Sequence, residues 1–437
     1  MAEPRCEDYC IIVNPDRALL LVEGALPAVG SSEGHFWQTC EPVNRAVRHT
    51  YGITATTVRC LRTDYTPQQI TNVYLMQYQT GNLSSGSAWV RLEELPRLPA
   101  PVTAKAIRAW LADFYGDHPG RRDWYRPGFF KAQAEGLAAR LPGIRIRRVE
   151  QVRSWERSSI LRVLSDDRSD LYLKTVPPMF AHEPALAAWL YQLDPDQFPA
   201  VIDHQPGCDF IMAAYTGKPL IEQPDLALWQ RALADYAALQ IACVGRVDEL
   251  RELGVPDRGL DWIAAHIDRL LDDDGLLRDG TNPLTDEQIA RVRELRPRLH
   301  AACDDLRAFN IPLSLEHGDL WTGQIIVRPA GGCVYTDWSD SAITCPLFSL
   351  PFFLAEVDNE LPGVPDARAR LAEAYLTPWT AFEPLPRLLA AYESVKLLSP
   401  FYTTLQYAYD LLPRMEHRWE MANMLGYNLR LLLRQAG

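Results

Sequence analysis

The sequence predicts an α+β protein in which a sheet-rich first half precedes a largely helical second half. Short segments with alternating apolar and polar residues extend to about residue 215, as half-buried strands do. Afterwards long amphipathic stretches such as "DLALWQRALADYAALQIACV" dominate. The length of 437 residues accommodates two or three domains, because single cores rarely grow past roughly 250 residues.

The composition excludes several classes of protein. Hydrophobic residues make up 47% and charged residues 23%, as in soluble globular proteins. A net charge of -12 argues against a nucleic-acid-binding role, which usually brings a basic surface. The nine scattered cysteines form no Cys-x-x-Cys pair and predict reduced thiols in a cytoplasmic protein. The start "MAEPRCEDYC" lacks the features of a signal peptide, and no apolar stretch is long enough for a membrane span.

Residues 1–100 predict a small α/β domain. The segments "YCIIVNP" and "ALLLVEG" predict a hairpin whose turn contains Asn14, Pro15 and Asp16. The stretch "VNRAVRHTYGI" has helical periodicity and a glycine stop at Gly52. The segments "TTVRCLRTDY" and "ITNVYLMQYQT" alternate as strands do.

Three further segments follow this domain. The proline-rich "LPRLPAPV" leads into residues 101–145, which we expect to be a helical connector. Residues 146–215 predict a small sheet lobe with strands such as "SSILRVLSD" and "DLYLKTVP", and residues 216–437 predict a helical lobe. A strand-rich island at residues 315–340 interrupts that lobe.

The island places polar side chains at the edge of a predicted hairpin. "QIIVRP" and "CVYTDWSDS" read as two short strands joined by a glycine turn, so antiparallel pairing brings Asp319, Gln324 and Asp337 to one edge. One carboxylate there can orient a hydroxyl nucleophile, and the other, with an amide oxygen, can hold Mg²⁺ against phosphate oxygens. Each aspartate taken alone is adequately explained as a cap of a turn. The spacing of the two aspartates around the hairpin favours a catalytic and metal-binding role.

The motif "HGDLWTGQIIV" followed by "VYTDWSDS" resembles the aminoglycoside phosphotransferase and choline-kinase-like family of small-molecule kinases. The resemblance covers about residues 146–437 and implies a protein-kinase-like two-lobed fold. It implies that Asp319 is the catalytic aspartate and that Asp337 binds Mg²⁺, with Gln324 where the family has asparagine. Trp338 after the second aspartate also fits the pattern.

The resemblance extends upstream of the island. Lys174 near the end of an apolar strand matches the lysine that holds nucleotide phosphates, and Glu183 in the following helix matches its partner. A solvated lysine on an edge strand is the alternative for Lys174. We expect Ser158 and Ser159 to offer backbone N–H groups to phosphate at a hairpin tip.

Two hypotheses for these lobes remain open. The first is a kinase that uses ATP or GTP with Mg²⁺ and phosphorylates a hydroxyl of a small molecule such as an aminoglycoside, choline or homoserine. The second is a pseudo-kinase that binds nucleotide or serves as a scaffold. Gln324 is one methylene longer than asparagine, the segment "QVRSWERSSILRVL" has no glycine, and Gln240 stands where the family often has histidine. These three departures keep the second hypothesis in play.

The segment "NRAVRHTYGI" resembles the Nudix helix, with Arg45 on the family's arginine. The positions of its glutamates hold Ala46, His49 and Thr50 instead. Those glutamates hold the Mg²⁺ that makes diphosphate hydrolysis possible, so hydrolysis by this segment is disfavoured. We therefore expect residues 1–100 to be a Nudix-like domain without that activity, the alternative being an unrelated α/β domain.

Overall fold

A computed structural model of the chain describes residues 5–31, 36–99, 101–167 and 169–437. The chain divides into two compact units. The described residues of Met1–Pro177 and Asp209–Ala214 form the first unit, and Pro178–Cys208 with Tyr215–Gly437 form the second. Within the described residues, no helix combines the length and the apolar character that a membrane span needs. All nine cysteines are free thiols.

The first unit begins with a mixed sheet. Its elements are β1 (Arg5–Val13), β2 (Leu19–Val22), β3 (Ala28–Ser31), α1 (Glu41–Tyr51), β4 (Ile53–Tyr65), β5 (Gln69–Gly81) and β6 (Ser87–Val90). The sheet has the order β4-β5-β1-β2-β6, with β3 beside β1. The strands β1 and β5 run parallel, and the predicted hairpin forms between β1 and β2. The helix α1 ends as predicted at Gly52, whose φ of 70° suits a residue without a β-carbon.

Two helices follow this sheet, α2 (Ala104–Tyr115) and α3 (Phe129–Arg140). Apolar residues of β1, β4 and β5 pack in one cluster with Ile107, Leu111 and Phe114 of α2. Their spacing of three and four residues places the three side chains on one face of the helix. Burying each of them contributes about 1.5–3 kcal/mol, so this cluster joins the connector to the N-terminal sheet.

A second sheet completes the first unit. The chain forms β7 (Ile146–Trp155), β8 (Ser158–Ser165) and β9 (Leu171–Thr175), then α4 (Glu183–Leu193) and β10 (Val201–Gln205) of the second unit, and returns as β11 (Asp209–Ala213). The antiparallel order in the first unit is β11-β9-β8-β7. Alternation on β8 and β9 buries one face of this sheet against Leu137 and Leu141, which α3 and its end contribute.

The second unit is mainly helical. Its helices after α4 are α5 (Leu226–Cys243), α6 (Val247–Glu252), α7 (Leu260–Leu271), α8 (Asp274–Leu277), α9 (Asp286–Glu294), α10 (Arg296–Arg307), α11 (Ser349–Ala355), α12 (Val357–Glu360), α13 (Ala367–Leu376), α14 (Leu385–Leu405) and α15 (Met424–Ala436). Its short strands after β10 are β12 (Lys218–Pro219), β13 (Ser314–Glu316), β14 (Ile325–Val327), β15 (Cys333–Tyr335) and β16 (Ala342–Thr344). They form a three-stranded sheet, β12-β14-β15, and a two-stranded sheet, β13-β16.

Candidate active site

Two antiparallel strand pairs bring the predicted site residues of the second unit together. In the predicted hairpin, β14 pairs with β15 so that Ile325 lies opposite Tyr335. Gln324 immediately precedes β14, and its backbone oxygen accepts the N–H of Thr336 at 3.0 Å. In the other pair, β13 and β16 match Glu316 with Ala342. The segment 317–319 therefore lies beside the segment 337–341, as antiparallel pairing requires.

The side chain of His317 fixes these two segments relative to each other. His317 is fully buried, and its Nε2 lies 2.9 Å from the carbonyl oxygen of Thr336. Its Nδ1 lies 3.3 Å from the backbone nitrogen of Asp319. Since a carbonyl only accepts and a backbone N–H only donates, the ring carries its proton on Nε2. One imidazole ring thus connects Asp319 to the residue immediately before Asp337.

A close backbone approach completes this arrangement. Gly318 has a φ of +80°, and a β-carbon added to it would lie 2.3 Å from the backbone oxygen of Asp340. Only glycine fits there without moving the backbone. The sequence "HGD" therefore needs its glycine to pack against the segment that carries Asp337.

Asp337 itself has an unusual backbone conformation, with a φ of 62°. Aspartate tolerates the left-handed region better than most residues, and such conformations cluster at functional sites. Its Oδ1 accepts a hydrogen bond from the Ser339 hydroxyl at 3.0 Å. The backbone and this hydroxyl together orient the carboxylate.

A buried carboxylate that the sequence did not predict as a site residue lies directly before His317. Glu316 is fully buried, and its Oε1 accepts hydrogen bonds from Ser349 Oγ, from Tyr236 OH at 3.3 Å and from the N–H of Gly318 at 3.3 Å. Burial raises the pKa of Glu316 to about 7, although these hydrogen bonds lower it. The last of them joins the carboxyl to the turn that carries Asp319.

Gln240 of α5 completes this polar cluster. Its Nε2 lies 3.1 Å from the backbone oxygens of Leu315 and Pro346 and 3.2 Å from Glu316 Oε2. Its Oε1 accepts the Tyr375 hydroxyl at 2.5 Å. The departure from the family pattern at Gln240, noted in the sequence, is thus a buried hydrogen-bonding centre next to the turn at residues 317–319.

The start of α4 is also joined to the segment 337–341. The ring of His182 lies 3.1 Å from Ser341 Oγ, which donates to the backbone oxygen of Trp338 at 2.7 Å. Because the serine has one hydrogen, the histidine nitrogen donates. Glu183, the next residue, begins α4 as predicted and is buried. This contact fixes the helix that carries Glu183 near Asp337 within the second unit.

Lys174 lies on β9 in the first unit. It pairs with Ile160 of β8 on one side and with Phe210 of β11 on the other. It is buried, with 4% of its surface exposed. The alternative of a solvated lysine on an edge strand is therefore wrong. The pairing between Lys174 and Glu183, which belong to different units, stays a prediction.

The tip of the hairpin between β7 and β8 lies two residues earlier in the chain than expected. Ser158 and Ser159 are the first residues of β8 and pair with Trp155 and Ser154, so they do not form the tip. The two turn residues are Glu156 and Arg157. The polar segment "SWERSS" does not indicate which two of its residues form the turn. In the structure the backbone N–H groups at the tip belong to the two charged residues, Glu156 and Arg157.

The predicted metal ligands lie next to each other. Gln324 Nε2 is 3.5 Å from Asp337 Oδ2, and Gln324 Oε1 accepts the Thr336 hydroxyl at 3.2 Å. A hydroxyl both donates and accepts, so turning the amide over keeps its partner and presents the carbonyl oxygen beside the carboxylate. An amide oxygen next to a carboxylate suits Mg²⁺, and the residues fit the ion in that orientation. Among the residues that the structure describes, no group of three or more His, Cys, Asp and Glu side chains is arranged around a metal position.

Comparison with solved structures identifies the architecture. An ethanolamine kinase from Plasmodium vivax superposes with a TM-score of 0.51 at 10% identity, covering 76% of this chain and 93% of that chain. The fold of this chain is similar to that of this kinase. A choline kinase from Cryptosporidium parvum gives a TM-score of 0.49 at 13% identity, covering 70% of this chain and 95% of that chain. A macrolide 2'-phosphotransferase from Brachybacterium faecium gives a TM-score of 0.45 at 18% identity, covering 67% of this chain and 97% of that chain.

Sequence-level comparisons add nothing to this likeness, since no protein-family model and no curated protein matches the chain. An identity of 10% carries the fold alone, so the activity has to be argued from the residues. The Nudix-like character of residues 1–100 is not confirmed and stays a prediction. The predicted domain limits at residues 100, 145 and 215 likewise stay predictions.

Proposed function

We propose that this protein is a phosphotransferase that moves the γ-phosphoryl group of ATP or GTP to a hydroxyl of a small molecule, with Mg²⁺ as its metal. The observation that carries the proposal is the imidazole of His317, which joins the backbone of Asp319 to the residue preceding Asp337. A kinase needs one carboxylate at the attacking hydroxyl and one at the metal, held at a fixed separation. A rigid ring between their backbones meets that requirement.

In the proposed reaction Asp319 accepts a hydrogen bond from the acceptor hydroxyl and orients its oxygen towards the γ-phosphorus. A new O–P bond forms while the bond from the γ-phosphorus to the β,γ-bridging oxygen breaks, and the nucleoside diphosphate leaves. The hydroxyl proton passes to Asp319 or to solvent. Most of the rate enhancement in such reactions comes from positioning and charge neutralisation rather than covalent chemistry.

The residues proposed to bind the nucleotide are the lysine and the glutamate that the sequence analysis singled out, with the two serines of β8. Lys174 would bind phosphate oxygens, and Glu183 would orient the lysine. Both side chains are buried, which supports these roles because charges interact more strongly in a low-dielectric environment than in water. Ser158 and Ser159 remain candidate phosphate contacts at the start of β8.

Asp337 and Gln324 would hold Mg²⁺, with the Gln324 amide turned over as described above. The ion supplies neutralisation of the charge on the phosphate oxygens. Ser339 maintains the direction of the Asp337 carboxylate through its hydroxyl. The longer arm of glutamine is accommodated by the hydrogen bond to Thr336, which draws the amide back towards the hairpin.

The acceptor that we propose is a small molecule with a hydroxyl group. The likeness in fold to the ethanolamine kinase from Plasmodium vivax supports a small acceptor of this kind rather than a protein. We therefore propose small alcohols, amino alcohols and hydroxylated antibiotics as the compounds to test. Nucleic acid and membrane partners form no part of the proposal.

The decisive experiment measures phosphoryl transfer and nucleotide binding separately. Wild-type protein and the variants Asp319→Asn and Asp337→Asn are incubated with radiolabelled Mg-ATP or Mg-GTP and a panel containing ethanolamine, choline, homoserine, an aminoglycoside and a macrolide. We expect transfer to fall by roughly 10²–10⁴-fold in Asp319→Asn while its nucleotide affinity stays unchanged. We expect Asp337→Asn to lose both transfer and the Mg²⁺ dependence of binding.

The matched control is Asp366→Asn. Asp366 also has a positive φ, of 55°, and is exposed, so this variant repeats the backbone setting of Asp337 away from the site. It should transfer phosphate as the wild type does. Nucleotide binding without transfer to any compound would instead support the pseudo-kinase.

A further inference from the structure

The turn between β7 and β8 stands where kinases have a glycine-rich loop over the nucleotide phosphates, yet it contains only Glu156 and Arg157. We infer that the connector holds this turn in its phosphate-binding conformation, with Arg122 and Trp124 as positioning residues. The inference rests on the proposed function and gives the additional N-terminal residues a role in it. All the contacts that support it lie within the first unit.

The connector binds the carbonyl groups of two consecutive residues at the turn. Arg122 Nε donates to the backbone oxygen of Glu156 at 3.0 Å and lies 3.4 Å from the carboxylate of the same residue. Trp124 Nε1 donates to the backbone oxygen of Trp155 at 2.8 Å. The Arg122 and Glu156 side chains are both buried, with 5% and 2% of their surfaces exposed, so these contacts are shielded from solvent.

The N-terminal domain holds the strand that leads into the turn. Along the outer edge of β7, Thr39 pairs with Arg153, and the N–H of Ser154 donates to the backbone oxygen of Gln38 at 3.1 Å. An edge strand normally leaves these groups unpaired. On its inner side, the Ser154 hydroxyl donates to the backbone oxygen of Val58 in β4 at 2.6 Å.

One side chain of β7 reinforces this attachment. Gln151 Oε1 accepts the N–H of Thr57 at 2.8 Å, and its Nε2 donates to the carbonyl of the same residue at 2.5 Å. These two hydrogen bonds satisfy the same backbone groups of Thr57 that a neighbouring strand would bind. The N-terminal sheet and β7 are therefore hydrogen-bonded to each other along the strand that ends at the turn.

The physical reason for this support lies in the turn itself. Two-residue hairpin turns favour residues with positive φ, often glycine or asparagine, and neither Glu156 nor Arg157 is among the described residues with such a φ. The turn therefore does not prefer this conformation on its own. Because Arg122 and Trp124 order it during folding, the conformational entropy is lost before nucleotide binds, which strengthens binding.

The test uses Trp124→Phe in the full chain, because this variant keeps the aromatic packing and removes one N–H donor. The affinity for Mg-ATP is measured by calorimetry, and hydrogen exchange reports the protection of residues 154–159. We expect the affinity to fall roughly fivefold, the change that corresponds to one net hydrogen bond, with faster exchange in the turn. Ser154→Ala, a smaller change that removes the hydrogen bond from β7 to Val58, should act in the same direction.

The matched control is Trp229→Phe. Trp229 is also buried, and its Nε1 donates to the backbone oxygen of Gln223 at 2.9 Å, far along the chain from the turn. This variant should lower the melting temperature as Trp124→Phe does, but leave the Mg-ATP affinity unchanged. Equal affinities in wild type, Trp124→Phe and Ser154→Ala would overturn the inference.

A further variant, Lys174→Met, separates this inference from the proposed function. If Lys174→Met abolishes Mg-ATP binding while Trp124→Phe leaves it intact, the positioning role is wrong and the kinase proposal stands. If the wild type does not bind Mg-ATP, or if Lys174→Met binds as tightly as the wild type, the proposed nucleotide site fails and the inference fails with it.

Discussion

Replacement of Glu316 by glutamine tests how the buried carboxyl group next to the turn at residues 317–319 affects the stability of the fold. Glutamine has nearly the same shape and keeps an oxygen facing Ser349, Tyr236 and the N–H of Gly318, but it does not ionise. The neighbouring Gln240 amide retains two backbone oxygens as acceptors, so the substitution leaves its hydrogens bonded. The new amide nitrogen faces the Gln240 Nε2 donor in place of an acceptor oxygen, a change that does not depend on pH. The pH dependence of the stability difference therefore isolates the effect of the charge.

The size of the effect follows from the raised pKa. In the folded protein the pKa of Glu316 is raised to about 7, whereas the pKa of an unperturbed glutamate is 4.5. Between these values unfolding releases a proton, so the free energy of unfolding falls as the pH rises. At 1.36 kcal/mol per pH unit the whole effect is roughly 3 kcal/mol, of which about 2.5 kcal/mol falls between pH 5 and pH 8.

The assay is urea unfolding of wild type and Glu316→Gln at pH 5, 6, 7 and 8. The variant should gain about 2.5 kcal/mol on the wild type across this range. Exposed Glu287→Gln, in α9, serves as the control and should follow the wild-type pH dependence. A stability difference between Glu316→Gln and wild type that is the same at all four pH values would refute the reasoning.

Two other substitutions test the close backbone contact of Gly318 and the proposed role of Gln324 in binding Mg²⁺. Gly318→Ala forces a β-carbon to 2.3 Å from the Asp340 backbone oxygen, and we expect transfer to fall by about 100-fold in steady-state kinetics. Gly363→Ala, at a φ of +76° with open space around it, should cost stability but leave transfer unchanged; equal activity of the two variants would contradict this reasoning. Gln324→Leu should raise the Mg²⁺ concentration for half-maximal transfer by about tenfold, because it removes the amide oxygen beside Asp337. An unchanged Mg²⁺ titration would exclude Gln324 as a ligand.

The elements that could be predicted from the sequence depend on local patterns. Alternation and a glycine turn are sufficient for the β14–β15 hairpin, which brings Gln324 next to Asp337 as expected. Helical periodicity and Gly52 are sufficient for the end of α1. In both cases the interacting residues are close in sequence, so the period of apolar residues and the turn chemistry determine the structure.

The contacts that could not be predicted join residues distant in sequence. Gln240 lies 75 residues before Leu315, whose backbone oxygen it contacts, and Gln151 lies 94 residues after Thr57. No periodicity relates such pairs, because tertiary packing alone brings them together. The two-residue difference at the tip of the β7–β8 hairpin has another cause: a polar segment without glycine gives no signal for where its turn begins.

The departures from the family pattern bear on the choice between kinase and pseudo-kinase. A glutamine retained without a role in a buried site would leave unpaired polar atoms, each costing about 1–3 kcal/mol. The Gln240 amide instead meets backbone oxygens through its nitrogen and the Tyr375 hydroxyl through its oxygen. The glycine-free turn likewise has its carbonyls bound by Arg122 and Trp124. These two of the three departures are thus compensated by contacts that hold the turn at residues 317–319 and the β7–β8 hairpin in place. A scaffold that transfers no phosphate has no need of such rigidity at either position, so these contacts favour the active enzyme.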